Sequence, residues 1–449
     1  MDRSEETQPG QIWVQIHRPA DWASRFARLC TSRRRRKFTS NLPWLVIQGS
    51  VLTDCDYSDG IIVNNSFRMG CEGWSMFSTR RVTIDSNVFI APPGGNISEG
   101  GSITNSPLPP STTHNAILRN RDVQQVDAYY RYETFTSDGG VGGYSGKALR
   151  SNGTHVTLAH ALSPRPNSPI SSGSNRPLDD DWAEAVMVVL GGTGAGQIVR
   201  IVSSKGDQLE LEAPPTVALD GSSELTVVPN AGQSILAGNV WVNGTSVDYY
   251  GVALELVFAD NTLLNMRSRP CPHCGDDKQL QDPIGGLTAH SLVYQSGQNA
   301  PSMPNMRVEI LGNTLIDTNG ITIMAANCGI NNSLQVTPVV PTAPLTQGFV
   351  VRRNTLRRTQ PCLFAPQLDL FGANHSRFYW NFAAPAKNTA LCERCEGESA
   401  AACADNGINV IGCVRGGVVE GNVLDEGGRV NPNATNGSVT VLTLHNGLH

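Results

Sequence analysis

The segment Val308-Glu-Ile-Leu-Gly-Asn313-Thr-Leu315 contains a phrase, apolar-x-apolar-x-x-Asn-x-apolar, that recurs along the 449-residue chain. Val82-Thr-Ile-Asp-Ser-Asn87-Val-Phe89 and Leu256-Val-Phe-Ala-Asp-Asn261-Thr-Leu263 are close copies. Consecutive copies are 22 residues apart in two places, and longer intervals elsewhere indicate inserted loops. Such a fixed period is typical of repeat architectures. The remaining copies centre on Asn65, Asn239, Asn354 and Asn422, with a degenerate copy at Asn381.

The repeated phrase alternates with a period of two residues, which predicts short strands. Ile84 and Ile310 then face one way, and Asp85 faces the other. A second strand of each unit is predicted to open with glycine, at Gly60, Gly251 and Gly320. Short strands joined by turns predict a coil of stacked rungs about 4.8 Å apart. Asparagine at the same corner of every rung can satisfy backbone groups and adopt the left-handed conformation, so we interpret it as structural rather than ligand-binding.

The glycine-led strand followed by Val-x-Ile-x-x-Asn-x-Phe/Leu resembles the repeat of the pectin/pectate-lyase-like superfamily. The resemblance covers roughly residues 44–90 and 232–428. It implies an all-β, single-stranded, right-handed parallel β-helix. Members of the superfamily include polysaccharide lyases, hydrolases, esterases, epimerases and non-catalytic adhesins, so the fold does not fix the activity. The polygalacturonase, epimerase and pectate-lyase motifs are absent from this sequence, and no catalytic residue is carried over.

The sequence divides into an N-terminal segment, 1–43, and a β-helix domain, 44–449. The first segment contains a predicted short helix and the basic run Arg33–Lys37, which fits a solvated helix end better than a polyanion signal. Within the β-helix, residues 91–182 are rich in Gly, Ser, Pro and Asn and are predicted to form long loops. Residues 183–230 alternate as strands and predict a small β insertion packed beside the coil.

Composition limits the class of protein. The chain is 39% hydrophobic and 16% charged, with a net charge of −5, which argues against disorder and against a general nucleic-acid partner. No apolar stretch is long enough for a membrane span. The N-terminus lacks the apolar core of a secretory signal. Eight N-x-S/T sequons and cysteine usage compatible with disulfides predict an extracellular protein. We also expect a monomer.

The eleven cysteines include two C-x-x-C pairs, Cys271/Cys274 and Cys392/Cys395. Local disulfides that staple long loops are the first interpretation. A four-thiolate zinc site is the second, although the pairs are much farther apart than in a zinc ribbon. Free thiols are the third interpretation.

Aspartates near the strand-opening glycines are candidates for chemistry. Asp248 and Asp317 each lie three residues before a glycine, and two carboxylates held on neighbouring rungs could serve as acid and base or bind Ca²⁺. Asp56, Asp59 and Tyr250 are predicted to contact substrate. Aspartate before glycine is also ordinary turn chemistry.

Arginines around Asn354 form a second candidate group. Arg352 and Arg353 could clamp a carboxylate or acidify a uronate α-proton, and Arg357 could bind the same substrate. They are explained equally well as charged residues on a solvent-exposed strand, which discourage pairing with another chain. His290 is a further acid/base candidate.

These patterns predict a carbohydrate-active protein that acts on or binds an extended, acidic polysaccharide, as a lyase or hydrolase if it is an enzyme. The sequence requires no cofactor, although Ca²⁺ is compatible with it. The alternative class is a non-catalytic extracellular scaffold or adhesin. A zinc-stabilised intracellular protein is a third hypothesis, which rests on the cysteine pairs.

Overall fold

The computed structural model describes part of the chain, and every structural statement below concerns that part. The described residues are 45–47, 57–69, 74–77, 79–91, 97–100, 111–124, 135–138, 142–163, 182–244, 246–266, 286–295, 302–318, 320–325, 343–357, 377–378, 408–412, 414–424, 430–433 and 439–442. They form 43 strands and, within these ranges, no helix.

The first three rungs of a coil occupy residues 45–138. Strand β1 precedes the first complete rung, and each rung then contributes one strand to each of four sheets. The strands are β1 (Leu45–Ile47), β2 (Tyr57–Ser58), β3 (Ile61–Val63), β4 (Ser66–Met69), β5 (Trp74–Phe77), β6 (Thr79–Arg80), β7 (Thr83–Asp85), β8 (Val88–Ala91), β9 (Ile97–Gly100), β10 (Ser111–Thr113), β11 (Ala116–Leu118), β12 (Arg121–Gln124) and β13 (Phe135–Asp138).

The chain then leaves the coil and forms a closed six-stranded barrel, in the order β14-β15-β18-β17-β16-β19. Its strands are β14 (Tyr144–Asn152), β15 (His155–Leu158), β16 (Val186–Gly191), β17 (Ile198–Lys205), β18 (Gln208–Leu211) and β19 (Glu224–Val228).

Five more rungs follow the barrel. Three of the strands in this region, β28, β29 and β37, form a small separate antiparallel sheet. The strands are β20 (Asn230–Gly232), β21 (Ile235–Ala237), β22 (Val240–Val242), β23 (Ser246–Tyr250), β24 (Ala253–Leu254), β25 (Val257–Ala259), β26 (Thr262–Leu264), β27 (Gly286–His290), β28 (Leu292–Gln295), β29 (Ser302–Met303), β30 (Asn305–Met306), β31 (Glu309–Leu311), β32 (Thr314–Ile316), β33 (Ile321–Ala325), β34 (Thr346–Gln347), β35 (Val350–Arg352), β36 (Thr355–Arg357), β37 (Arg377–Phe378), β38 (Ile408–Gly412), β39 (Val414–Arg415), β40 (Gly417–Glu420), β41 (Val423–Leu424), β42 (Val430–Asn433) and β43 (Val439–Leu442).

Four parallel sheets, which we number in the order in which each rung visits them, form the sides of the coil. Every pairing within them joins one rung to the next in parallel register. The predicted all-β, single-stranded parallel β-helix is therefore confirmed, and right-handed crossovers are the rule for parallel strands. Sheet 1 contains β2, β6, β10, β20, β24, β30, β34 and β39; sheet 2 contains β3, β7, β11, β21, β25, β31, β35, β40 and β43; sheet 3 contains β1, β4, β8, β12, β22, β26, β32, β36 and β41; sheet 4 contains β5, β9, β13, β23, β27, β33, β38 and β42.

Two corners of every rung are tight turns. The corner between sheets 2 and 3 always places a residue of positive φ directly before an asparagine, as at Asp260 (φ 51°), Gly312 (φ 63°) and Arg353 (φ 57°). This left-handed step turns the chain sharply from one sheet into the next. The residue before the asparagine therefore adopts the left-handed conformation, where the sequence analysis assigned it to the asparagine itself.

The asparagines form a continuous buried ladder that satisfies the bent backbone. In each pair of neighbouring rungs, the backbone N–H of one asparagine donates to the Oδ1 of the next at 2.9 Å, and its Nδ2 donates to the same oxygen at 2.9 to 3.1 Å. Asn313 Nδ2 also donates to the Phe258 carbonyl of the preceding rung, at 2.9 Å. The structural interpretation of the repeat is thus confirmed. The members are Asn65, Asn87, Asn120, Asn239, Asn261, Asn313, Asn354 and Asn422.

Asn120 is the ladder member that the sequence analysis missed. Its rung reads Asn115-Ala-Ile-Leu-Arg-Asn120-Arg-Asp122, so polar residues occupy two of the apolar positions of the phrase. Asp122 points into the core between Phe89 and Trp241 of the adjacent rungs and is only 1% exposed. Burial raises the pKa of this carboxyl well above its usual range.

The prediction that residues 91–182 form long loops does not hold where the structure describes them. This rung and the first barrel strands lie in that range. Residues 97–100, 111–124 and 135–138 are strands and corners of the coil, and β14 and β15 belong to the barrel. The barrel is therefore larger than the predicted 183–230 insertion. Gly and Asn in this region serve the tight corners and hairpins of a regular fold, and composition alone does not distinguish these from loops.

The barrel packs against the outer face of sheet 1. Val188 and Leu190 of β16 lie in one buried cluster with Leu254, Met306 and Leu345 of the coil. Gln347 Nε2 donates to the Leu190 carbonyl at 2.8 Å and fixes the same contact by a buried hydrogen bond. The barrel, which is inserted between two rungs in the sequence, thus covers the outer face of sheet 1 at these residues.

Several predictions fall outside the described residues. The helix and basic run of segment 1–43, Asp56 and all eleven cysteines lie there, so the disulfide, zinc and free-thiol interpretations stay predictions. Within the described ranges, no helix has the length and apolar character needed to cross a membrane.

Candidate functional site

Chain insertions mark one side of the coil. The connections from sheet 1 to sheet 2 and from sheet 2 to sheet 3 are short in all eight complete rungs. The connections that enter sheet 4 vary from residues 243–245 to residues 358–407, and those that leave it include 101–110, 291–304 and the whole barrel. In repeat proteins, insertions gathered on one face often mark the binding face. Sheet 4 is therefore the candidate functional surface.

The inner face of sheet 4 is anchored in the core. Val247 and Tyr249 of β23 are fully buried there, and Tyr249 packs edge-on against Phe135 and Phe258 at ring-centroid distances of 5.9 and 6.2 Å. Because strand residues alternate between faces, Asp248 lies on the outer face. Its 4% exposure shows that this part of the outer face is itself covered.

Two outer rows run across sheet 4, defined by backbone register. The Asp248 row carries small hydroxyl and amide residues apart from Asp248 itself. The Tyr250 row lies two residues farther along each strand. The Asp248 row is Ser75, Ser98, Thr136, Asp248, Thr288, Thr322, Asn409 and Asn431. The Tyr250 row is Phe77, Gly100, Asp138, Tyr250, His290, Met324, Ile411 and Asn433.

Asp138 and His290 occupy the positions diagonal to Asp248. Asp138 pairs with Tyr250 from the rung before, and His290 pairs with Tyr250 from the rung after. One strand spacing and two residues along a strand separate diagonal neighbours, so their Cα atoms are about 8 Å apart. The carboxyl groups of inverting glycosidases are about 6.5 to 9.5 Å apart, so aspartates at neighbouring positions of this kind are candidates for such a pair. The backbone register thus places Asp138, Asp248 and His290 at neighbouring positions of sheet 4.

Asp317 does not join Asp248 in one row. It occupies a left-handed position (φ 55°) at the corner between sheets 3 and 4, where its backbone N–H donates to the Arg357 carbonyl at 3.0 Å. The residue in register with Asp248 on that rung is Thr322, two rungs away along the axis. Two rungs amount to about 10 Å, so these two carboxylates do not form a close pair.

The predicted stacking of Asp248 and Asp317 rested on aligning the glycines Gly60, Gly251 and Gly320, and this alignment does not hold in the structure. Gly60 precedes a strand of sheet 2, Gly251 a strand of sheet 1 and Gly320 a strand of sheet 4. The three glycines therefore belong to different corners, and residues counted back from them do not stack. Gly251 and Gly320 adopt left-handed φ values (78° and 80°) because their local turns require them. Turns of this kind occur at several different corners of the rung.

The predicted arginine site lies away from sheet 4. Arg352 is on the outer face of sheet 2 and forms an ion pair with Glu420 of the next rung. Arg353 occupies the tight corner between sheets 2 and 3. Asp59 lies between sheets 1 and 2, where Arg81 Nε donates to its Oδ1 at 2.7 Å. Arg357 is exposed at the end of β36, at the edge of sheet 4 and three rungs beyond Asp248. Of the predicted residues, Asp248 and Tyr250 lie on sheet 4, and Asp317 and Arg357 border it.

Asp138 was missed because its strand falls in the segment predicted to be loop. Its neighbours Phe135-Thr-Ser-Asp138 lack the repeat asparagine, which belongs to another corner of the rung. Only the pairing of β13 with β23 places Asp138 beside Asp248. Within the described ranges, no three His, Cys, Asp or Glu side chains gather as metal ligands would.

The similarities of this chain to known proteins are distant. No family model matches the chain, and no curated protein matches it. Among solved structures, the tailspike protein gp49 from Pseudomonas phage LKA1 aligns at 9% identity with a TM-score of 0.22, over 75% of this chain and 50% of that one. The Pseudomonas phage phi297 tailspike gp61 aligns at 11% identity with a TM-score of 0.20, over the same shares. This chain spans about half the length of these structures.

Proposed function

We propose that the protein binds an extended polysaccharide along the outer face of sheet 4 and cleaves its glycosidic bonds with Asp138 and Asp248, which requires that binding uncover the carboxyl of Asp248, 4% exposed in this structure. The observation that carries this proposal is the diagonal register of the two carboxylates on the one side of the coil where insertions gather. A row of hydroxyl and amide residues on either side of them offers both donors and acceptors, as sugar hydroxyl groups do.

Cleavage by such a pair requires one acid and one base. One carboxyl group gives its proton to the glycosidic oxygen as the bond from that oxygen to the anomeric carbon breaks. The other takes a proton from the attacking group on the opposite face of the sugar. Tyr250, between Asp138 and His290 in register, offers an aromatic ring on which a sugar could stack, because the negative face of an aromatic ring attracts C–H groups.

The test uses Asp138→Asn and Asp248→Asn on a broad panel of polysaccharides, with new reducing ends as the readout. Both variants should lose at least about 100-fold in cleavage rate, because each removes an acid/base group, while still binding the polymer. The matched control is Glu309→Gln, which removes a carboxylate from the outer face of sheet 2. Melting curves for all three variants establish that they fold.

A cleaving protein whose rate survives both substitutions would overturn the assignment. Binding with no cleavage by the unmodified protein would leave a binding module and contradict the catalytic part. Asp317→Asn and Arg352→Ala are further controls, and we expect each to change the rate less than about tenfold because neither residue lies in the two rows.

A further inference from the structure

We propose that the polysaccharide held at Asp138 and Asp248 is uncharged, so that its cleavage is a hydrolysis and not an elimination; this rests on the proposed function above. An acidic polymer, which the sequence analysis predicted, requires cations along its path, because carboxylates are recognised by Arg and Lys. The distribution of cations around the coil therefore indicates whether the polymer is acidic or uncharged.

Neither outer row of sheet 4 contains Lys or Arg in any of its eight rungs. His290 is the one residue of the two rows that can carry a positive charge. Asp138 and Asp248 add negative charge at the centre of the surface. A uronate carboxylate bound there would meet two like charges with no fixed cation beside it, which disfavours binding.

Six arginines of the described residues form ion pairs away from sheet 4. Arg81 pairs with Asp59, Arg119 with Asp85, Arg307 with Glu255 and Arg352 with Glu420, all at the corners or outer faces of the sides away from sheet 4. Arg80 and Arg200 share Glu184 at the junction with the barrel. These pairs neutralise one another from rung to rung. Arg357, at the edge of sheet 4, is about 14 Å along the axis from Asp248, at three strand spacings.

The inserted segments at the edges of sheet 4 do not supply an excess of cations in their sequences. Segments 92–96, 101–110 and 326–342 contain no charged residue. Segment 267–285 has three basic and three acidic residues, and segment 358–407 has four basic and five acidic residues. Segment 125–134 has one basic and two acidic residues, together with Tyr129, Tyr130 and Tyr132.

The charge of the substrate sets the reaction. A lyase removes the proton at C5 and forms a C4=C5 double bond as the C4–O bond breaks, and it relies on the neighbouring carboxylate to acidify that proton. An uncharged hexose lacks this carboxylate. The bond must then break by addition of water: the oxygen of water bonds to the anomeric carbon, one of its protons goes to the base carboxylate, and the acid carboxyl group protonates the leaving oxygen. Solvent exchange restores both groups.

The experiment uses matched pairs of polymers that differ only at C6: a glucan, a mannan and a galactan beside a polyglucuronate, a polymannuronate and a polygalacturonate of the same linkages. The full chain is assayed at about pH 8, where histidine is ordinarily neutral. Reducing ends and the ultraviolet absorbance of unsaturated products are both followed. We expect new reducing ends from at least one neutral polymer, no unsaturated product, and less than about twofold change in rate between low and high salt, because no ionic contact is screened.

Cleavage of a uronic polymer with rising absorbance, abolished by Asp248→Asn, would overturn the uncharged substrate and leave the proposed function standing. Reducing ends from a uronic polymer faster than from its neutral partner, with strong salt inhibition, would also overturn it. Failure of all six polymers to bind or react would overturn the proposed function itself. Asp138→Asn is the second variant if Asp248→Asn does not fold.

Discussion

Sheets 2 and 4 are opposite sides of the same rungs, and they differ in what flanks them. Sheet 2 is entered and left through tight corners in every rung, and its outer face carries aliphatic residues such as Ile235, Val257 and Leu311 in its central rungs. Sheet 4 is entered and left through segments of very different lengths, and its Asp248 row is polar in every rung. One half of each rung therefore maintains the coil, and the other half can vary without disturbing it.

The largest effect should come from breaking the ladder on the tight half. Asn313→Ala removes the acceptor of the Asn261 backbone N–H and side-chain amide, and the donor to the Phe258 carbonyl. All of these groups are buried, and each unsatisfied group costs about 1–3 kcal/mol. We expect the free energy of unfolding to fall by about 3–5 kcal/mol in chemical denaturation.

The matched variant lies at the corner of sheets 3 and 4. Asn265 Nδ2 donates to Asn243 Oδ1 at 2.9 Å in a half-buried pair. Asn265→Ala should cost less than about 1 kcal/mol, because water can replace the lost partner. Equal losses at the two corners would contradict the division of each rung into a structural and a variable half.

Arginine substitutions on opposite sides of one rung test whether the polymer binds to sheet 4 or to sheet 2. Thr288 is on the outer face of sheet 4 and Val257 on the outer face of sheet 2, both in the fifth rung. Thr288→Arg should weaken polysaccharide binding at least about tenfold, or about 1.4 kcal/mol, because its long side chain occupies the path of the polymer. Val257→Arg should leave binding unchanged. Affinity electrophoresis measures both, and loss of binding by the second variant would place the polymer on sheet 2.

The buried carboxyl of Asp122 gives a stability prediction of opposite sign. Leucine or an aromatic residue occupies this position in other rungs, as at Phe89 and Leu263. Asp122→Leu should therefore raise the free energy of unfolding by about 1–3 kcal/mol near neutral pH, because an unsatisfied buried polar group is removed.

The pH dependence follows from the raised pKa of Asp122. The unfolded chain releases this proton at a lower pH than the folded chain does, so the stabilising protonated form is complete below the unfolded pKa. Stability is lost as the pH rises from that value toward the folded pKa. Urea titrations across this range should show a decline in the unmodified protein and a flatter profile for Asp122→Leu. Identical profiles would show that Asp122 is ionised in the folded state.

The smallest effect is expected at Arg353. Its left-handed φ of 57° is shared by Gly238, Gly312 and Gly421 at the same corner of other rungs. Arg353→Gly should change the free energy of unfolding by no more than about 1 kcal/mol, since relief of strain and added chain entropy oppose each other. The cleavage rate should not change. A loss of activity in this variant would restore the arginine site that the sequence suggested.

The β-helix and the position of its structural corner could be predicted from the linear chain. The phrase around Asn87, Asn261 and Asn313 is local: a two-residue alternation, a left-handed step and an amide that bonds to its own copy one rung away. Each rung repeats the same physical requirement, so the pattern survives in the linear chain. It failed at Asn120, where polar residues replaced the apolar ones on both sides.

The residues that share a face of sheet 4 are identified by strand pairing and not by the linear chain. Asp138 and Asp248 are 110 residues apart in the chain, separated by the whole barrel, and their proximity is set by the pairing of β13 with β23. Insertions of unequal length shift the sequence spacing at that side from rung to rung. The spacing of the asparagines is likewise irregular, but their motif is recognisable, whereas a single aspartate in a strand has no signature of its own. Register between distant strands, set by side-chain packing in the core, supplies the information that spacing cannot.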